Sequence, residues 1–103
     1  MGLSKHDIIS RIKANTALLT TTFHVRRLGL FGSFAKNNAT SASDLDFLVE
    51  FEPGIPDVYE TKQHLKQFLK NTFHRSVDLA SYRYLHPYAR QSILSEVEPL
   101  VGR

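Results

Sequence analysis

The chain has 103 residues, of which 42% are hydrophobic and 22% charged, and this composition predicts one globular domain spanning residues 1–103. Thirteen Lys and Arg against ten Asp and Glu give a net charge of +3, too weak to indicate nucleic-acid binding by itself. The absence of cysteine excludes disulfides, thiol catalysis and zinc–thiolate sites. No apolar run approaches the roughly 20 residues of a membrane span and no signal-peptide core is visible, so we expect a cytoplasmic location and no membrane partner.

Three elements are predicted in the first part of the chain. Residues 4–22 predict a helix, because the capping-box pair Ser4 and Asp7 precedes apolar residues at helical spacing. Residues 25–31, VRRLGLF, predict a strand. Residues 32–43 are small and polar, and they predict a loop with at most one helical turn.

Four elements follow in the second part. Residues 44–51, DLDFLVEF, alternate strictly between polar and apolar faces and are the strongest predicted strand. Residues 57–72 predict an amphipathic helix, and residues 76–80 predict a short strand. Residues 86–97 predict a last helix that Pro99 ends.

The order of these elements predicts a small α/β (α+β) fold, in which helices flank a three-stranded mixed sheet. The loop between the first two strands is too short for a crossover helix, so these strands should run antiparallel. The second and third strands are joined by a helix and should run parallel.

Three carboxylates stand out in these strands. Asp44 and Asp46 share one face of the second strand, and Asp78 projects from the polar face of the third strand, opposite to its apolar neighbours. Like charges in these positions repel, and a divalent cation between them would remove the repulsion. The alternative is a solvated outer face on which the aspartates protect a sheet edge. Glu50 shares the face of Asp46, and its place at the strand end favours a solvent-facing side chain.

A Gly-Ser turn follows the first strand directly. Gly32 permits close backbone approach, and Ser33 offers a hydroxyl and an N–H group. Consecutive N–H groups in a turn bind anions, so the turn is a candidate phosphate site. Ten residues separate Ser33 from Asp44, which gives the pattern G-S-x10-D-x-D.

This pattern, in GSFAKNNATSASDLD, resembles the signature of the DNA polymerase β-like nucleotidyltransferase superfamily. The segments RRLGLFGSFAK, SDLDFLVEFEPG and SVDLAS are similar to the minimal nucleotidyltransferases (MNT) of prokaryotes. Many of those proteins are the antitoxins of HEPN–MNT toxin–antitoxin pairs. The resemblance implies a polymerase β-like nucleotidyltransferase core.

The resemblance also implies a role for each matching residue. The implied site comprises the nucleotide-binding residues Gly32, Ser33 and Lys36 and the catalytic, metal-binding residues Asp44, Asp46 and Asp78. Many relatives carry Arg-Gly where this chain has Lys36 and Asn37, and lysine keeps the charge but loses the bidentate fork. Arg27 is a second candidate for contact with the phosphates.

The implied reaction is transfer of AMP from ATP to a hydroxyl group, with tyrosine of a partner protein as the expected acceptor. Two Mg²⁺ ions are the implied cofactors, with Mn²⁺ as a substitute, and a HEPN-family toxin is the implied partner. The chain is too short for a separate substrate-reading domain, so we expect the acceptor to dock on its surface.

Two other functions stay open at this stage. The chain could neutralise a HEPN ribonuclease by binding alone, as a non-catalytic antitoxin. It could also bind nucleic acid through a row of lysines on the second helix, Lys62, Lys66 and Lys70, although the weak net charge argues against this. Retention of all three aspartates favours an enzyme. Assembly as a homo-oligomer is left open by the sequence.

Overall fold

A computed structural model describes residues 2–102 of the chain. Within these residues the helices are α1 (Lys5–Ala14), α2 (Thr16–Thr21), α3 (Gly32–Ala35), α4 (Val58–Phe73) and α5 (Pro87–Glu96). The strands are β1 (Val25–Phe31), β2 (Leu45–Phe51), β3 (Val77–Ser81) and β4 (Glu98–Val101). A single 3-10 turn, Tyr82–Tyr84, follows β3. None of the helices in this part of the chain is long and apolar enough to cross a bilayer.

The strands form one mixed sheet in the order β3-β2-β1-β4. β1 runs antiparallel to β2, and β2 runs parallel to β3, which confirms both predicted orientations. The predicted count of three strands is wrong, because β4 pairs antiparallel with β1. Pro99 was expected only to end the preceding helix, but it lies inside β4. A proline is tolerated there because an edge strand has one side that donates no ladder hydrogen bonds.

The core lies on one face of the sheet. Alternate residues of β2 (Leu45, Phe47 and Val49) point into it and are buried. They pack in one cluster with apolar residues of the helices, namely Ile8, Ile12, Leu19, Leu65 and Leu69. α1, α2 and α4 therefore cover this face, and the polar positions of β2 are directed to the other one.

The first helix differs from its prediction. Its start is confirmed, since Ser4 Oγ accepts from the Asp7 N–H and Asp7 Oδ2 accepts from the Ser4 N–H, both at 3.0 Å. The predicted single helix over residues 4–22 is wrong, because the chain leaves helical geometry at Asn15 and continues as α2. The Asn15 side chain donates to the Arg11 carbonyl oxygen at 2.8 Å, a local bond that competes with helix continuation.

Candidate active site

Two of the predicted carboxylates are direct neighbours in the sheet. Asp46 of β2 is paired in register with Asp78 of β3. Residues paired in this way on parallel strands project from the same face, and neighbouring strands are separated by about 4.8 Å. Asp78 is exposed, and Asp46 is half-buried. The fold thus brings together two acidic side chains that lie 32 positions apart in the sequence, on the face opposite the core.

Asp44 lies just outside the strand in which it was predicted. β2 begins at Leu45, whose N–H donates to the Ser76 carbonyl oxygen at 2.9 Å, so Asp44 belongs to the preceding loop. Its side chain is exposed, yet its charge still acts on Asp46. Asp44 therefore contributes a third negative charge beside the Asp46 and Asp78 pair, from a position one residue before β2.

The environment of Asp46 disfavours its charged form. Partial burial, followed by the charges of Asp78 and Asp44, raises the pKa of its carboxyl above the ordinary value. A raised pKa in the folded state means that the folded chain holds this proton more tightly than the unfolded chain. The free energy of unfolding therefore decreases as the pH rises from the Asp46 pKa of the unfolded chain to that of the folded chain. A cation bound beside Asp46 would reverse this penalty.

The Gly-Ser turn contacts this carboxylate. Gly32 begins α3 directly after β1, and the last β1 residue, Phe31, is paired with Asp46. Gly32 has φ +75, and a Cβ atom added to it would collide with Asp46 Oδ2. Glycine is thus required here both by the backbone conformation and by the close approach. The turn that contains Ser33 consequently lies beside the acidic pair.

Lys36 ends α3 and forms an ion pair with α5. Its Nζ lies 3.3 Å from Glu96 Oε2, and both side chains are more than two-fifths exposed. Such a pair contributes at most about 1 kcal/mol, so an anionic ligand can compete for the ammonium group. Asn37, which follows Lys36, has φ 60 and takes the left-handed conformation, which asparagine adopts more readily than most residues.

Arg27 does not lie with the phosphate turn. It is paired in register with Glu50, and its Nε lies 3.3 Å from Glu50 Oε1. Its guanidinium is 3.8 Å from the centre of the Tyr82 ring. Glu50 follows Asp46 by four strand residues, which corresponds to about 13 Å. In this structure Arg27 therefore contacts Glu50 and Tyr82 and lies apart from the Gly32 turn.

Arg75 holds the loop before β2 in place through contacts that the sequence did not reveal. Its Nη1 donates to the carbonyl oxygens of Ser43 (3.0 Å), Ser41 (3.3 Å) and Thr40 (3.4 Å). Its guanidinium carbon also lies 5.1 Å from the ring centre of Phe34 in α3. Arg75 thereby ties the loop before β2 to the α3 turn. No periodicity marks it, and only its place two residues before β3 could have drawn attention to it.

The carboxylates have the donor chemistry of a magnesium site. Within residues 2–102, no three His, Asp or Glu side chains are grouped closely enough to form a metal-binding cluster. Asp46 and Asp78 nevertheless offer hard oxygen donors on adjacent strands. Partial burial, together with the charges of Asp78 and Asp44, raises the pKa of Asp46, and a cation would relieve this penalty. Among the described residues, the Asp46 and Asp78 pair therefore offers two ligands to a divalent ion, and Asp44 does not complete a group of three.

Known proteins resemble the chain over most of its length. The sequence profile of the nucleotidyltransferase domain family matches residues 13–99. A candidate protein adenylyltransferase of Methanocaldococcus jannaschii is 33% identical over 85% of this chain and 92% of its own length. The protein adenylyltransferase MntA of Thermococcus cleftensis is 33% identical over 92% of this chain and 94% of its own length.

Solved structures share the fold. One, described as a candidate minimal nucleotidyltransferase, is 33% identical and covers 95% of this chain and 97% of that chain with a TM-score of 0.79. A toxin–antitoxin structure with AMP-PNP has 22% identity and a TM-score of 0.66, covering 98% of this chain and 75% of that chain. A complex of tri-AMPylated Shewanella oneidensis HEPN toxin with its MNT antitoxin has 18% identity and a TM-score of 0.62, covering 92% and 73%. The chain belongs to the nucleotidyltransferase domain family and is a homologue of its minimal nucleotidyltransferases.

Proposed function

We propose that this chain is a Mg²⁺-dependent protein adenylyltransferase, which transfers AMP from ATP to a tyrosine hydroxyl of a HEPN toxin and so acts as an antitoxin. The observation that carries the proposal is the register pairing of Asp46 with Asp78 beside the Gly32 turn. A purely structural sheet face has no need of two paired carboxylates, one of which lies so close to a glycine that an added Cβ atom would collide with it. The names of the two adenylyltransferase relatives support the choice of AMP.

In this proposal the turn residues hold the nucleotide. The backbone N–H groups and the hydroxyl at Ser33 donate to the β- and γ-phosphates, and Gly32 lets the backbone approach them. Lys36 leaves its ion pair with Glu96 and binds a phosphate oxygen instead, because both partners are anionic and lie within reach of its ammonium group. These contacts orient the α-phosphorus toward Asp46 and Asp78.

The aspartates hold the ions and move the proton. Asp44, Asp46 and Asp78 would bind two Mg²⁺ ions, or Mn²⁺ in their place. When bound, the ions lower the pKa of the acceptor hydroxyl and offset negative charge on pyrophosphate. The acceptor oxygen forms a bond to the α-phosphorus as the bond to pyrophosphate breaks, and Asp78, the exposed member of the pair, accepts the hydroxyl proton.

The acceptor is a protein side chain that reaches an open site. Asp78 and Asp44 are exposed, so a residue on a docked partner can approach them from solvent. A phenol with a pKa of about 10 needs only modest activation, which favours tyrosine over serine or threonine. The HEPN toxin in one of the structural matches is itself tri-AMPylated, and this supports a HEPN protein as the acceptor.

Calorimetry with AMP-PNP tests the nucleotide site, and a growth assay tests the means of neutralisation. We expect binding that needs Mg²⁺ and is weakened at least tenfold, about 1.4 kcal/mol, in Asp46→Ala. Equal affinity in chelator would contradict the proposal. The double variant Asp44→Ala, Asp46→Ala should fold and bind a HEPN toxin without protecting cells from it. Full protection by that variant would show that binding alone neutralises the toxin.

A further inference from the structure

A cleft lies on the same side of the sheet as the carboxylates but at the other end of β2. It has a volume of about 490 Å³, and its floor includes Arg27 and Glu50. Glu50 lies about 13 Å along β2 from Asp46. Between the two, Tyr82 covers the sheet: a Cβ atom added to Gly29 would collide with its hydroxyl, and Leu48 is fully buried. The cleft is therefore separate from the nucleotide turn.

The charged residues of the cleft are mostly arginines. They comprise Arg26, Arg27, Arg83 and Arg90, against Glu50 and Glu52. Arg27 is paired with Glu50, and Arg90 Nη1 donates to the Tyr82 carbonyl oxygen at 3.0 Å. Arg26 and Arg83 are exposed. The surplus of positive charge is thus presented by side chains that reach into solvent, where they can contact a carboxylate.

Apolar and aromatic surface adjoins these arginines. Tyr84 is 77% exposed and Val58 is 51% exposed, and both line the cleft. The Arg83 guanidinium lies 5.9 Å from the centre of the Tyr84 ring. Exposed tyrosine and arginine side chains are enriched at protein–protein interfaces, where they supply most of the binding energy. The cleft therefore combines the two features of a protein-docking site.

From this geometry we infer that the cleft binds an acidic segment of the acceptor protein while its target hydroxyl lies at Asp78. The inference rests on the proposed function and specifies its substrate. An extended polypeptide advances about 3.3 Å per residue, so about four residues span the distance between the two sites. The acceptor is therefore expected to carry Asp or Glu about four positions from the modified residue.

The same observations disfavour nucleic acid as the occupant. A phosphate backbone that follows the cleft toward Asp78 would meet Glu50, Glu52 and the aspartates in turn. A single carboxylate side chain can instead contact the exposed arginines and avoid these groups. The cleft is therefore complementary in charge to a single carboxylate and not to an extended polyanion.

The test uses two peptides labelled for fluorescence anisotropy, which carry one tyrosine and, four positions from it, either a single glutamate (the acidic peptide) or a single lysine (the basic peptide), together with a single-stranded oligonucleotide. We expect the acidic peptide alone to bind, and its affinity should fall about tenfold in Arg83→Glu or Arg26→Glu. The matched charge reversal Lys66→Glu, on α4 and across the sheet from the cleft, should change the affinity less than twofold, by about 0.4 kcal/mol.

The inference is overturned if the acidic peptide fails to bind, if both peptides bind equally, if the oligonucleotide binds as well, or if Lys66→Glu weakens binding as much as Arg83→Glu does. AMP-PNP affinity, measured in the same variants, should not change. A wild-type chain that binds the acidic peptide but no nucleotide would refute the proposed function and leave the docking site standing. A wild-type chain that binds AMP-PNP but not the acidic peptide would refute only the docking site.

Discussion

Replacement of Gly32 by alanine separates the two reasons for a glycine at the nucleotide turn. Gly32 has φ +75, and an added Cβ would collide with the Asp46 carboxylate. Gly54, in the turn after β2, has φ +85 and no atom within 4 Å of an added Cβ. Gly54→Ala is therefore a matched control, which carries the conformational cost without the collision.

The expected magnitudes follow from this difference. A left-handed conformation costs a non-glycine residue about 1 to 2 kcal/mol, so Gly54→Ala should lower the free energy of unfolding by about that amount. Gly32→Ala should lower it by about 1 kcal/mol more, because the added methyl group must turn the Asp46 carboxylate aside and crowds the rest of its side chain. The same displacement should weaken Mg²⁺-dependent AMP-PNP binding at least tenfold, about 1.4 kcal/mol, in Gly32→Ala alone.

Urea unfolding gives the free energies, and calorimetry gives the nucleotide affinities, for both variants under the same conditions. Equal destabilisation by the two variants would show that Gly32 does not press on Asp46. A Gly32→Ala protein that is destabilised but binds AMP-PNP like the wild type would show that the turn is not the phosphate site. Either result would refute the reasoning that links this glycine to the carboxylates.

Three further changes test the surroundings of the site. In chelator, Asp46→Asn should raise the melting temperature at neutral pH by removing a partly buried charge that Asp78 and Asp44 repel, and the gain should vanish as the pH falls below the ordinary pKa of 3.8, where the carboxyl is protonated in the folded and the unfolded chain alike; a gain independent of pH would contradict this. Arg75→Ala should lower kcat for AMP transfer about tenfold with little change in the KM for ATP, and Arg75→Lys should recover part of it; an effect on KM alone would count against a positioning role. Glu96→Gln should tighten AMP-PNP binding by at most about fivefold in calorimetry, and a gain that persists in a Lys36→Ala background would refute competition for the ammonium group.

The acidic pair was predictable because it depends on strand geometry. The alternation of residues 44–51 assigns Asp46 to the face opposite Phe47, and the helix that follows forces β3 to run parallel to β2. Those two facts predict that Asp78 projects from the same face as Asp46 when the strands are neighbours, and the register that pairs the two residues comes from the structure. The spacing from Gly32 then predicts a turn next to the same strand.

Other features depend on contacts that no local pattern encodes. β4 contains Pro99, which argues against a strand unless the edge position is known. Arg75 donates hydrogen bonds to three carbonyl oxygens of a loop that lies more than 30 positions earlier in the chain. The pairing of Arg27 with Glu50 requires the register of β1 with β2, and only that register shows that Arg27 lies far from Gly32.

Intact-mass spectrometry of a HEPN toxin, incubated with this chain and Mg-ATP, tests the central claim most directly. The proposed function predicts that the toxin gains the mass of one or more AMP groups, that the gain is lost in toxin variants without the target tyrosine, and that Asp44→Ala, Asp46→Ala abolishes it. A toxin that is neutralised by the wild-type chain and the double variant alike, with no gain in mass, would contradict adenylyl transfer and establish neutralisation by binding.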